Sequence, residues 1–169
     1  MVDWFEHTEI NRNEMKIFLV IVIAFVIFML VRNHNNKALA AENIQIGEQF
    51  LATNKSVEGV IETKSGLQYQ VLKSGEGAEH PAANSKVSVH YHGTLLDGTM
   101  FDSSVVRGKP LSFGLNQVIK GWTEGVQLMV VGDKFKFFIP SSLGYGNSAA
   151  GKITPGSLLI FEVELLAIQ

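Results

Sequence analysis

The run Ile17 to Val31, IFLVIVIAFVIFMLV, is 15 residues without a charge, bracketed by Lys16 and Arg32, and no other segment of the chain resembles it. Wound as a helix it turns apolar side chains in every direction, whereas a helix packed on a soluble core keeps a polar stripe. The run is therefore read as a membrane anchor or as the apolar region of an export signal. It would span about 22 Å at ~1.5 Å per residue, short of the roughly 30 Å hydrocarbon core, and Lys16 and Arg32 extend its reach by snorkelling. Downstream, Ala38-Leu-Ala40 is a small-x-small pattern of the kind signal peptidases cut. Against a signal stands a long acidic leader with Asp3, Glu6, Glu9 and Glu14, although a restart at Met15 would give a cleaner one. Arg12 and Lys16 on one side are matched by Arg32 and Lys37 on the other, so charge leaves the orientation open.

The remaining length holds one well-filled core. With 14 Lys and Arg against 16 Asp and Glu, no basic surface for nucleic acid is announced. The absence of cysteine removes disulfides, thiolate catalysis and cysteine-ligated zinc or iron-sulfur sites, and fits either side of a membrane. The chain divides into a flank (1–16), the apolar segment (17–31), a linker with a short helix (32–59) and a globular domain (60–169, core 84–169). Within the linker, residues 32–43 read as a polar tether and Ile44 to Val60 as a weak helix carrying Ile46, Phe50 and Leu51, which needs a partner surface to be stable. Asn54-Lys-Ser56 matches a glycosylation sequon, a three-residue pattern that arises by chance.

From Gly66 the period changes to two. In Lys86 to Leu95, Val87, Val89, Tyr91 and Leu95 share one face and Ser88, His90, His92 and Thr94 the other. Asp97-Gly98 suits a tight hairpin, with Thr99-Met-Phe101 starting the return strand. Phe135, Phe137 and Ile139 alternate with Lys134, Lys136 and Phe138; Leu159, Phe161, Val163 and Leu165 alternate with Ile160, Glu162 and Glu164; Leu67, Tyr69 and Val71 make a further face. One good helix remains: Ile119, Trp122, Val126 and Met129 form a single stripe. Gly121 and Gly125 each cost it about 1 kcal/mol relative to Ala, so a sheet pressing closely against them is the expected reason. These elements predict an α+β domain, a mainly antiparallel sheet covered on one side by that helix.

Conventional catalytic sets are missing. No serine sits in a nucleophile-elbow context, and Gly144-Tyr-Gly146 is not followed by the Gly-Lys-Ser/Thr of a phosphate loop. His90 and His92 share a strand face and could grip a metal, but no third ligand is identifiable, so they read as a solvated face and no metal or cofactor is assigned. Tyr91, Phe101, Trp122, Tyr145, Ile153 and Phe161 exceed what a small core layer demands, and Pro140 to Pro155 is a long loop with a tyrosine inside it. Together they suggest a concave apolar pocket.

Five ordered blocks carry a resemblance: Val89-His-Tyr-His-Gly93, Leu96-Asp-Gly-Thr-Met-Phe-Asp-Ser-Ser104, Val118-Ile-Lys-Gly-Trp-Thr-Glu-Gly-Val126, Leu143-Gly-Tyr-Gly146 and Leu159-Ile-Phe-Glu-Val-Glu-Leu165. From Gly66 to the C-terminus the chain resembles the FKBP family of peptidyl-prolyl cis-trans isomerases, and Gly47 to Tyr69 is similar to the stretch entering the isomerase domain in bacterial members of the macrophage infectivity potentiator type. Those relatives carry a longer dimerising arm, most of which is missing here, and the resemblance leaves a homodimer open. It implies an antiparallel five- or six-stranded sheet curled around one short helix, here preceded by a single N-terminal hydrophobic helix. It also implies rotation about X-Pro bonds in folding proteins at or beyond the membrane, with proline-containing polypeptides as partners, FK506-like macrolides as inhibitors and no cofactor. The domain would be anchored or secreted, on the periplasmic side.

By motif, Trp122 would floor the pocket, with Tyr91, Phe101, Phe113, Val118, Ile119, Ile153 and Phe161 as substrate-binding walls. Asp102 and Tyr145 would be the polar groups at the rim, joining Trp122 as the catalytic set. Leu111 stands where many members have an aromatic residue, which should loosen one wall, and the 147–153 loop does not align with the family pattern. A client-binding chaperone with incidental isomerase activity is the other reading; it would keep suppressing aggregation after loss of Asp102 and Tyr145. A membrane scaffold with an inactive domain fits less well, since the pocket aromatics are all present.

Overall fold

The computed structural model describes residues 12–169; Asp3, Glu6 and Glu9 of the acidic leader, and most of the 1–16 flank, lie outside them. The chain divides into two compact units, residues 1–36 and 37–169. Both contribute to a helix, α1 (Arg12–Asn54). In the first unit the whole apolar run is helical and solvent-exposed, and α1 is long and apolar enough to cross a membrane by length and composition.

The 32–43 stretch, expected as a tether, is helical throughout. Ala38, Leu39, Ala40, Ala41 and Glu42 are strong helix formers, and neither Gly nor Pro intervenes before Gly47. The partner surface that a short helix requires is present in the second unit. Ala40, Asn43, Ile44, Gly47, Phe50, Leu51 and Asn54 lose exposure at three- and four-residue spacing, one stripe laid against the domain.

The domain is a seven-stranded antiparallel sheet: β1 (Val60–Glu62), β2 (Gln68–Lys73), β3 (Lys86–Thr94), β4 (Met100–Ser103), β5 (Leu111–Gly114), β6 (Lys134–Ile139) and β7 (Leu159–Ile168). The order is β1-β2-β6-β7-β3-β4, with β5 also on β3. β4 pairs with the Gly93 end of β3 and β5 with the Val87 end, so these two strands share one edge and the sheet is six positions wide. The hairpin forms at Asp97-Gly98, where Gly98 has φ of 84° and Asp97 Oδ1 accepts the Thr99 N–H.

The inner face follows the alternation. Val87, Val89, Phe137, Ile139, Leu159, Val163 and Leu165 are fully buried under α2 (Lys120–Val126). A Cβ on Gly121 would lie 2.5 Å from Ile139 Cγ2, and one on Gly125 would lie 2.7 Å from Phe137 Cε1. Both glycines thus mark the close approach of helix to sheet. The stripe outlasts the helix: Met129 is buried in the turn beyond it.

The outer face departs from simple alternation because α1 covers part of it. Phe138, placed by period with the lysines, is buried against Phe50 with ring centroids 5.7 Å apart. Its cross-strand neighbour Gln68 is fully buried too, although Leu67, Tyr69 and Val71 were the expected buried set. Gln68 Nε2 donates to the Leu51 carbonyl at 2.9 Å and to Glu62 Oε2 at 2.7 Å, while its oxygen accepts from Asn54 Nδ2 at 2.8 Å. Leu67 is buried, Tyr69 half-buried and Val71 exposed. Asn54, the sequon residue, has its amide spent inside this network.

Candidate functional site

The register of β3 with β4 and β7 sets the first side of the site. Gly93 pairs with Asp102 and with Phe161. A Cβ on Gly93 would lie 2.7 Å from Phe101 Cε2 and 2.8 Å from Phe161 Cε1, so this position must be bare for the two rings to meet edge to face, 5.2 Å apart at 82°. Tyr91, two residues back on the same face of β3, completes that wall. β5 contributes Phe113, the 3-10 turn Leu115–Gln117 leads to Val118 and Ile119, and α2 supplies Trp122. Tyr145 and Ile153 come from the long loop before β7.

These ten residues, the whole set singled out from the sequence, line one cavity of about 650 Å³. Leu111, Gln117, Ala150, Gly151 and Lys152 line it as well and carried no role in the sequence reading beyond the Leu111 departure. Trp122 is only 5% exposed. Its ring lies 5.3 Å from Tyr91 at 87°, 5.1 Å from Phe161 at 86° and 5.4 Å from Phe113 at 60°. Edge-to-face contacts of this kind fix the indole from its sides.

The polar rim is built around Asp102. Its carboxylate accepts hydrogen bonds from the Tyr91 hydroxyl and from Arg107 Nη1. Arg107 Nη2 also donates to the Tyr91 oxygen at 2.9 Å, and its guanidinium lies 5.6 Å from the Tyr91 ring centroid. Burial pushes the Asp102 carboxyl up, but hydrogen bonds from Tyr91 and Arg107 outweigh it and hold the group below the usual carboxylate range. Burial, reinforced by the bond to Asp102, pushes the Tyr91 phenol up. At neutral pH the carboxylate is ionised, the phenol neutral and the guanidinium charged. No group in the triad is poised to exchange a proton.

Arg107 was not anticipated. It sits in the turn after β4, five residues past Asp102, and only the fold of that turn brings it back. Ser104 makes the turn: its hydroxyl accepts the Tyr91 N–H at 2.8 Å and its own N–H donates to the Tyr91 carbonyl at 3.0 Å. The two histidines of the outer face are engaged by the same turn, His90 Nδ1 with Ser104 Oγ and His92 Nδ1 with Ser103 Oγ, each at 3.0 Å.

The 147–153 loop takes a defined shape. Ala150 and Ile153 exchange both backbone hydrogen bonds at 2.9 Å around Gly151, which has φ of 57°. Lys152 Nζ reaches the Met100 carbonyl at 3.2 Å, tying the loop to β4. Ile153 is buried, whereas Tyr145 is 43% exposed at the rim. Ile119 is the N-cap of α2, so its N–H falls outside the helical ladder, and among the described residues it has no hydrogen-bond acceptor. An aromatic box with an inward wall of aliphatic side chains, one neutralised carboxylate and no nucleophile is suited to enclose a compact apolar ring and to hold the polar backbone beside it.

A family model described as FKBP-type peptidyl-prolyl cis-trans isomerase matches residues 77–166, and one for the domain amino-terminal to it matches residues 9–71. An FKBP-type peptidyl-prolyl cis-trans isomerase FkpA of Aeromonas hydrophila is 62% identical over 130 residues, covering 77% of this chain and 48% of that protein. The FKBP-type 22 kDa peptidyl-prolyl cis-trans isomerase of Escherichia coli is 51% identical over 139 residues, covering 82% of this chain and 65% of that protein. The chain thus spans about half to two thirds of the length of these relatives. Among solved structures, FkpA from Escherichia coli superposes with a TM-score of 0.82 at 38% identity, covering 95% of this chain and 74% of that one.

Proposed function

Because the chain belongs to the FKBP-type peptidyl-prolyl cis-trans isomerase family, we propose that it accelerates rotation about X-Pro bonds in folding polypeptides, within the cavity above Trp122. That rotation faces a barrier of about 18–20 kcal/mol because the twisted amide loses its resonance. No bond is made or broken, so the lack of a nucleophile and of a general acid costs the reaction nothing. Twisting localises the nitrogen lone pair and reduces charge separation along the amide. A dry apolar enclosure therefore favours the twisted state over the planar, better-hydrated one.

In this reading the proline ring lies on Trp122, between Tyr91, Phe101, Phe113 and Phe161, with Val118 and Ile153 closing the sides. The Ile119 N–H and the Tyr145 hydroxyl hold the flanking carbonyls, so that binding energy is spent on the transition state. Asp102, fixed by Arg107 and Tyr91, presents a stationary negative edge to the rotating carbonyl's surroundings and moves no proton. The observation that carries the reading is the indole floor, packed against Tyr91 and Phe161 at near-right angles and against a tilted Phe113, beside an ion-paired carboxylate. Partners follow from the same shape: proline-containing polypeptides, and FK506-like macrolides as inhibitors. Residues 17–31 would anchor a periplasmic domain as a single pass, with 60–169 as the isomerase domain.

The test is exchange NMR on an X-Pro peptide with Trp122→Leu, Asp102→Ala and Tyr145→Phe. Losses of roughly tenfold or more in kcat/KM are expected for Trp122→Leu and Asp102→Ala, about 1.4 kcal/mol of transition-state stabilisation each. Three folded variants at the wild-type rate would rule the pocket out.

A further inference from the structure

Ile153 and Tyr145 stand on a loop that is fastened from outside the cavity. Thr154, Pro155 and Gly156 follow Ile153 directly, and α1 grips all three. Asn43 Nδ2 donates to the Pro155 carbonyl at 2.7 Å and to Thr154 Oγ1 at 3.0 Å, which uses both hydrogens of the amide. Gly156, at φ of 78°, passes so close to α1 that a Cβ there would lie 2.2 Å from the Ala40 carbonyl, and Ala40 is only 2% exposed. One turn beyond Asn43 on α1, a Cβ on Gly47 would lie 3.2 Å from Leu158 Cβ. On its other side the same turn holds the rim: the Gly156 N–H donates to the Gly146 carbonyl at 2.8 Å, next to Tyr145. A three-residue turn therefore joins α1 to both pocket residues of the loop.

We propose that Asn43 is a positioning residue of the isomerase pocket: through the turn 154–156 it sets where Ile153 and Tyr145 stand, which makes the face of α1 carrying Ala40, Asn43 and Gly47 part of the machinery. The proposal rests on the isomerase reading for its kinetic consequence. A loop released from Asn43 samples arrangements that do not fit the substrate, and apparent affinity falls in proportion to the competent fraction. Once bound, the peptide restores the competent arrangement. The expected signature is a raised KM with kcat nearly unchanged, whereas a residue that only supports the fold would lower the melting temperature and leave the KM of the folded protein alone.

The full-length chain in detergent is compared as wild type, Asn43→Leu, Asn43→Asp and, as a control on the exposed side of α1, Gln45→Ala. Both Asn43 variants remove the two donors while keeping the four-atom side chain branched at Cγ. With each variant confirmed folded by circular dichroism, KM for an X-Pro peptide should rise roughly three- to tenfold in both Asn43 variants, with kcat within about twofold of wild type. Gln45→Ala should match wild type. In the same samples, without substrate, the Ile153 methyl and Tyr145 ring resonances should shift in the Asn43 variants. If those resonances and KM stay in place in the folded Asn43 variants, the positioning role is wrong. Shifted resonances in the Asn43 variants, together with no isomerase activity in the wild-type chain, would leave the loop coupling standing and overturn the isomerase reading instead.

Discussion

Arg107 pairs with Asp102 and, in the proposed mechanism, makes it a fixture rather than a reagent. The ion pair is half exposed, so its removal should weaken catalysis without abolishing it: Arg107→Leu is expected to cost roughly two- to fivefold in kcat/KM, the scale of an exposed pair, and less than Asp102→Ala. The protonation states yield a sharper prediction. Asp102 is held below its usual range, so its contribution is complete above the unfolded value and is lost only as pH falls through the lower folded value. Tyr91 is raised, so its contribution is complete below the unfolded value and is lost only as pH rises through the higher folded value. Between about pH 5 and pH 9 neither group titrates, and kcat/KM measured across that window should be flat. A bell-shaped profile there would mean that the rate depends on the ionisation of a group outside the Asp102, Tyr91 and Arg107 set. At this scale the aromatic lining was legible in the sequence, because Tyr91, Phe101, Trp122 and Phe161 are large, apolar and ordered in motifs. Arg107 was not, because its pairing depends on a serine turn that brings it back onto β3 rather than on any spacing.

α2 shows how far a local pattern can be carried. Its stripe identified the buried face, and its glycines were correctly assigned to close packing, since Gly121 and Gly125 touch Ile139 and Phe137. The competing effects in Gly125→Ala can be weighed directly. Alanine gains about 1 kcal/mol in helix propensity, but its Cβ would lie 2.7 Å from a fully buried phenyl ring, and overpacking of that kind costs about 1–3 kcal/mol. A net destabilisation of up to about 2 kcal/mol is expected, read as a lowered urea midpoint with an unchanged slope. A stabilised variant would mean that the helix and sheet are less tightly apposed. α1 is the opposite case. Its residues 32–43 looked like a polar tether because Arg32, Asn33, Asn35 and Asn36 obscure the Ala-rich run that follows. The burial of Gln68 and Phe138 was equally hidden. A two-residue period assumes a solvated outer face, and only the tertiary position of α1 on that face turns a glutamine into its polar anchor.

For the molecule as a whole, the open issue between anchor and cleaved signal acquires a structural argument. The small-x-small pattern would place the cut after Ala40, yet Ala40 is buried in mid-helix beneath Gly156, and Asn43 lies only three residues beyond it. A chain beginning at Ala41 would leave Asn43 in a frayed first turn, without the Ala40 carbonyl against the loop that carries Ile153. Cleavage after Ala40 would thus remove a contact to the loop that carries Ile153, and the expected outcome is that the protein keeps its apolar segment. Intact mass of the membrane-extracted protein checks this directly: loss of the residues before Ala41 would overturn it. If residues 17–31 anchor the chain as proposed, the anchor is marginal at 15 uncharged residues, so one charge at its centre, costing about 2.5–3.5 kcal/mol on insertion scales, should tip it out of the bilayer. Ile23→Arg is expected to move the protein from the carbonate-resistant membrane fraction to the extractable one. Its rate per mole should be unchanged, because Ile23 is exposed, does not line the cavity and lies outside the Ala40–Gly47 face of α1. A carbonate-resistant Ile23→Arg protein would show that something other than this helix holds the chain at the membrane.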